Sequence, residues 1–225
     1  MNKLVTASKT LLLVLILQSQ AHSAMVSYGF EKITNNNVED LTNQLSITVW
    51  DATEANSEFM LMLNANQVLF TVGNDVGIAS NIAEVYFDDG GSLLGPSSVL
   101  NSLAGVTNFS GGGANPGNLP SGNNVGFSAT ATLSADVNPG PPANGVNESI
   151  DILGITLGLG SFADFNAVVS AINSGDLRFG YHVRSIGTAG GSDSYVSTVV
   201  PIPAAIWLFG SAILGLISFN RRQSI

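Results

Sequence analysis

Apolar and polar positions alternate with a period of two through much of the first half of this chain. Val26, Tyr28 and Phe30 share one face; Leu45, Ile47 and Val49 follow ahead of Trp50-Asp51; then come Phe59, Leu61 and Leu63, next Val68, Phe70 and Val72, and finally Val85 and Phe87. Such alternation, broken by Asn, Gly and Asp, predicts half-buried antiparallel strands. Asn64-Ala65-Asn66 reads as a tight connection, and the segments 73–77 and 88–91 read as turns. Residues 108–124 and 136–147 are loops by their Gly, Pro and Asn content, with a strand expected from Phe127 to Leu133 between them. The β-branched stretch from Ile150 to Gly158 favours a further strand.

The period changes at Ser161. Phe162, Phe165, Val169 and Ile172 fall on one face of a helix over 161–174, with Ser161 as its cap, Asp164 in its first turn and Gly175 at its end. Leu177, Phe179, Tyr181 and Val183 then alternate with Arg178, Gly180, His182 and Arg184, which reads as the last strand. Residues 187–199 read as a linker, Gly- and Ser-rich at first. The pattern predicts a mainly β body over 25–186, an antiparallel β-sandwich of two sheets with one packed α-helix.

Both ends carry a different pattern. Lys3 and Lys9 precede the apolar run Leu11–Leu17, and small residues follow at Ser19-Gln20-Ala21 or Ala21-His22-Ser23, with Ala24 a third place to cut, so residues 1–24 read as a secretory signal peptide. From Ile202 to Phe219 there are 18 residues without a charge. As a helix they extend roughly 27 Å, close to the thickness of a bilayer core. Arg221 and Arg222 follow, which places them in the cytoplasm and the body outside. Pro201 and Pro203 bias Val200 and Ile202 towards extended backbone that a protease can reach.

Val200-Pro201-Ile202-Pro203-Ala204-Ala205, then Trp207-Leu208-Phe209-Gly210-Ser211, Leu214-Gly215-Leu216 and Arg221-Arg222, resembles the PEP-CTERM sorting signal, in its Val-Pro-Leu-Pro-Ala variant. Ile202 stands where the name-giving pattern has Glu, a departure the variant allows. The resemblance covers about 25 of 225 residues. It implies export in a Gram-negative bacterium that makes exopolysaccharide. It also implies anchoring in the inner membrane with the body in the periplasm, and recognition by an exosortase that cuts near the prolines, leaving the body at the cell surface or secreted. Residues 84–90, 115–120, 144–147 and 177–186 together are similar to a recurrent body found on PEP-CTERM proteins, a family without an established activity.

Charge narrows the partners. Lys32, Arg178 and Arg184 face all sixteen acids in the body, so it repels nucleic acid and attracts cations. There is no cysteine, which excludes disulfides, thiolate metal sites and cysteine nucleophiles. His182 is the one histidine beyond the leader; a Ser–His–Asp triad would have to use it, yet no Gly-x-Ser-x-Gly signature accompanies it, and it reads as an exposed strand residue. Asp88 and Asp89 are the densest acidic pair and the candidates for a Ca²⁺ ion, with Asp75 in another turn, although the spacing matches no EF-hand. Asn108-Phe-Ser and Asn147-Glu-Ser match glycosylation triplets of the kind that arise by chance in an Asn-rich chain. Three functions follow in descending order. The first is a non-enzymatic envelope or matrix protein without cofactor, whose partners are exosortase, the membrane and exopolysaccharide. The second is a carbohydrate- or calcium-binding module, and the third is a secreted hydrolase.

Overall fold

The computed structural model describes residues 25–137, 144–148, 150–161 and 163–202. The leader, the apolar run after Ile202, Pro203–Ala205 and Arg221-Arg222 lie outside the described residues. The strands are β1 (Met25–Lys32), β2 (Leu45–Trp50), β3 (Gln67–Asn74), β4 (Asn81–Asp89), β5 (Leu94–Ala104), β6 (Phe109–Gly111), β7 (Ala135–Val137), β8 (Val146–Asn147), β9 (Ile152–Leu159), β10 (Leu177–Ile186) and β11 (Gly191–Ile202). The helices are α1 (Ala52–Phe59) and α2 (Phe165–Ser174). All strand pairs are antiparallel and form one continuous sheet, in the order β5-β9-β3-β2-β1-β11-β10-β4-β7-β6, with β8 paired to β4. The expected mainly β, antiparallel body is therefore observed, as one curled sheet with two described helices.

Aromatic contacts show how far the sheet curls. Along the ladder β3 and β4 are five strands apart, roughly 24 Å if the sheet were flat. Yet the Phe70 ring of β3 lies 5.3 Å from that of Phe87 on β4 and 5.4 Å from that of Phe179 on β10. The sheet has rolled over, so its inner face closes on itself around these rings, and Phe30 stacks on Tyr181 at 4.0 Å beside them. Its outermost strands, β5 and β6, are consecutive in the chain and come into contact. In β2 the alternation is clean: Leu45, Ile47 and Val49 are buried inward, while Ser46, Thr48 and Trp50 are half-buried outward. β3 and β4 are buried almost continuously, because their outer faces are also covered.

Four sequence expectations are corrected. Phe59–Leu63 does not form a strand. Phe59 ends α1, whose cap is Asp51 accepting from Glu54 N at 2.8 Å, and the chain turns at Met60 in a left-handed conformation (φ 52°). Asp51-Ala-Thr-Glu54 is a cap signal that the apolar alternation concealed. The segment 127–133 is irregular apart from a short 3-10 turn at Ala131–Leu133. α2 begins at Phe165, capped by Asp164, which accepts from Ala167 N at 2.8 Å, so Ser161 lies before the helix. Residues 187–199 are no linker: Gly187 (φ 57°) and Gly190 (φ 71°) turn the chain, and residues 191–202 form β11, inserted between β1 and β10. The glycines belong to a tight hairpin turn, and the polar strand beyond it is held from both sides.

Near the start of β11 a buried carboxylate fastens the β1–β2 connection. Asp193 accepts from Thr34 Oγ1 (2.7 Å), Asn36 N (2.8 Å), Asn37 N (3.1 Å) and Asn37 Nδ2 (2.9 Å), and its other ligand is Lys32 Nζ at 2.9 Å. Lys32 Nζ also donates to the Asn37 and Glu39 carbonyls, at 2.8 Å each. Burial acts to raise the Asp193 pKa, but these donors outweigh it and hold the carboxyl at about 2. The folded carboxyl thus ionises at lower pH than the unfolded one, whose pKa is about 3.9. Its contribution is full above about pH 4 and is lost as the pH falls through about 2. Asp193→Asn is expected to lower stability at pH 7 by on the order of 3 kcal/mol and to flatten the acid limb of the stability curve between pH 4 and 2, measured by urea denaturation across pH.

Candidate functional site

The densest buried chemistry lies on the outer face of β4, β10 and β11. Register places Glu84 of β4 opposite His182 of β10, and His182 opposite Ser194 of β11, so the three form a row across neighbouring strands. Glu84 is fully buried. One of its oxygens is ion-paired with Arg184 Nη2; the other lies 2.7 Å from His182 Nδ1, close enough for an ion pair but off the line of a hydrogen bond. Ser194 Oγ is buried and makes no hydrogen bond, so it does not reach the imidazole. Asp136 of β7 sits on the other side of Glu84 in the ladder.

A long connection covers the next row of the ladder, Tyr86, Gly180 and Val196. Leu119 and Phe127 pack with Tyr86 and Val196 as a second apolar cluster on the outer face. The Tyr86 hydroxyl donates to the Pro116 carbonyl at 2.9 Å; burial, and after it the Glu84 charge, push this phenol well above its usual range. Gly180 is what lets the cover sit down. A Cβ there would meet Leu119 Cδ2 at 2.7 Å and Phe127 Cζ at 3.1 Å. Segment 108–124, read from composition as bare loop, is therefore partly a lid with its own core.

Arg178 ties the lid to the sheet. Its guanidinium donates to Asp88 Oδ2 (2.5 Å), to the Val125 carbonyl (3.0 Å) and to the Gly126 carbonyl, and it lies 5.4 Å from the centre of the Phe127 ring. Beside it opens a cleft of about 520 Å³ lined by Asp88, Asp89, Gly91, Leu93, Asp176 and Arg178 among others. The two calcium candidates do not act together. Successive strand residues point to opposite faces, so Asp88 meets Arg178 and Ser128 N (3.2 Å), whereas Asp89 turns inward and accepts from Leu93 N (3.0 Å) and Leu94 N (2.8 Å). Asp89 thus shapes the β4–β5 turn. Among the described residues no group of three or more His, Asp or Glu side chains is placed to hold a metal ion.

The remaining sequence candidates are spread over the molecule. His182 is mostly buried, not exposed, with 13% of its side chain accessible. Asp75 is in the turn after β3. Asn108 is exposed, while Asn147 donates through Nδ2 to Asp151 at 2.8 Å. Val200, Pro201 and Ile202 end β11, with Tyr28 opposite Pro201 and Ser27 opposite Ile202. They are extended, as expected, but paired with β1. Pro201 fits there because the β10 ladder stops at Val196, which leaves β11 a single neighbour at this point. No family model, curated protein or solved structure matches this chain.

Glu84, Ser194 and Asp193 were missed as structural centres. The signal for Glu84 was present, since a lone acid inside Ile82-Ala83-Glu84-Val85-Tyr86-Phe87 needs a buried partner. Chemically, Glu84 compensates the Arg184 guanidinium and faces the His182 imidazole. Glu84→Ala is expected to destabilise the protein by roughly 2–3 kcal/mol, more than His182→Ala, when the variants are compared by urea denaturation at pH 7.

Proposed function

We propose that this chain is a non-enzymatic envelope or matrix protein, exported by its leader and held at the inner membrane by a PEP-CTERM-like tail until an exosortase cuts near Pro201 and Pro203. The observation that carries this reading is the pairing of a leader over 1–24 with the motif Val200–Ala205, the uncharged run to Phe219 and the Arg221-Arg222 stop. The fold is compatible with it. β1 begins and β11 ends at the same end of the sheet, with Ser27 opposite Ile202, so both targeting segments join the body at one place. The curled sheet then serves as a sandwich-like body that is released to the cell surface or medium, where an acidic, Asn- and Gly-rich surface suits hydrated exopolysaccharide.

Among the described residues no helix is long and apolar enough to cross a membrane, and the proposed span lies outside them. Intact-mass measurement tests the processing. The wild-type protein recovered from the producing cell is expected to lack the residues beyond the proline motif, and the Pro201→Ala/Pro203→Ala variant to keep them. Retention of residues 205–225 in both would sink the proposal.

A second reading, a carbohydrate-binding module, is favoured by the 520 Å³ cleft and its Asp88, Asp176 and Arg178 rim. A raised Tm with one member of a glycan panel, abolished by Asp176→Ala, is the expected outcome for that reading; an unchanged Tm across the panel removes it.

A further inference from the structure

The connection from α1 to β3 reads Phe59-Met60-Leu61-Met62-Leu63. Met60 is 90% exposed and Met62 is 95% exposed. Isolated apolar residues on a surface are ordinary, but this pair is held out by a built loop. Asn56 clasps its base, donating to the Leu63 carbonyl at 3.0 Å and accepting from Leu63 N at 2.7 Å. Met60 itself adopts φ 52°, a conformation that costs a non-glycine residue energy. Two methionines are thus presented to the exterior at the expense of local strain.

Their place in the fold matters more than their exposure. The loop joins the end of β2 to the start of β3, where Trp50 is opposite both Met25 and Leu69. This is the end of the sheet at which β11 leaves, because Ile202 is opposite Ser27. Met25 lies two residues beyond Ser27 in the direction the chain departs, roughly 7 Å further on. Met25 and Val199 are also exposed at this end, at 38% and 48%. The uncharged run begins at Ile202 itself, so no linker separates the sheet from it.

We propose that this end of the sheet rests on the lipid surface, with Met60 and Met62 inserted at headgroup depth. The inference rests on the reading of 202–219 as a membrane span. Given that span, a tether of no length leaves the body no other height. Asp51, Glu54 and Glu58 are the charged residues of the nearby α1 segment, and at the same end of β4 and β10 the single cation Arg178 is paired with Asp88 beside Asp176, so acids are in excess and zwitterionic lipid is preferred to anionic lipid. Seating the body in this way holds the proline motif at the membrane surface, where a membrane-embedded protease works.

The chain contains no cysteine, so single-cysteine labels can be placed in the full-length protein without background. Met62→Cys, Val38→Cys and Ala212→Cys each carry a polarity-sensitive fluorophore in phosphatidylcholine vesicles with plain or brominated acyl chains. Val38, in the β1–β2 connection at the opposite end, is 97% exposed and serves as the aqueous reference. The expected result is a blue shift and loss of emission with brominated lipid at positions 62 and 212, with neither at 38. If the position-62 label behaves like that at 38 while the position-212 label is quenched, the seating is wrong and the span stands. If the label at 212 is unquenched, the membrane reading of the tail fails and the seating falls with it.

Discussion

The curl of the sheet is the constraint on which the rest depends. A single antiparallel sheet must hide one face, and here it does so by rolling until Phe70 meets Phe87 and Phe179. That closure buries Tyr28, Ile47, Val85, Ile155 and Tyr181 in one core, with α2 contributing Val168 and Ile172. It also brings β4, β10 and β11 together as one half whose outer face needs a separate cover, which the chain between β6 and β7 supplies through Leu119 and Phe127.

The few positive charges are placed by carboxylates that are buried or nearly so. The body has only Lys32, Arg178 and Arg184. Each is spent on a carboxylate: Lys32 on Asp193, Arg178 on Asp88 and Arg184 on Glu84. Asp193 and Glu84 are buried, where an unpaired carboxylate is costly. The other acids outnumber the cations and are left to the surface or to helix and turn capping, as with Asp51, Asp89 and Asp164. A strongly acidic exterior is therefore compatible with buried carboxylates that each face a cation.

The insertion of β11 between β1 and β10 gives the proposed leader and tail neighbouring points of attachment. Because β1 and β11 are antiparallel neighbours, the start of one and the end of the other coincide. The start of β1 and the end of β11 thus lie at one end of the sheet, and the Asp193 clamp secures the other. The orientation proposed for the body on a membrane follows from this pairing and from the absence of any spacer before the uncharged run.

Much of the strand content was legible because period-two alternation survives wherever one face is buried and the other half-exposed, as in β1, β2 and β10. The cap and stop of α2 were nearly legible for a similar reason, since Asp164 and Gly175 act locally. The proline motif with its uncharged run, the apolar stretch near the start and the charge imbalance are linear features and needed no fold. What only tertiary structure decided involves partners distant in the chain. Residues 187–199 look like a linker, yet residues 191–202 are a strand flanked by β1, more than 150 residues earlier, and by β10. Phe59–Leu63 alternates like a strand, yet the capped turn after Asp51 claims Phe59 for a helix. Asp88 and Asp89 are neighbours in sequence but face opposite sides of β4, so adjacency never became a shared site. Glu84, His182 and Ser194 have no sequence proximity and meet only because three strands stand in register. Local chemistry and periodicity are written in the chain; register and curl arise from contacts across it, and those determine which charges meet and which are hidden.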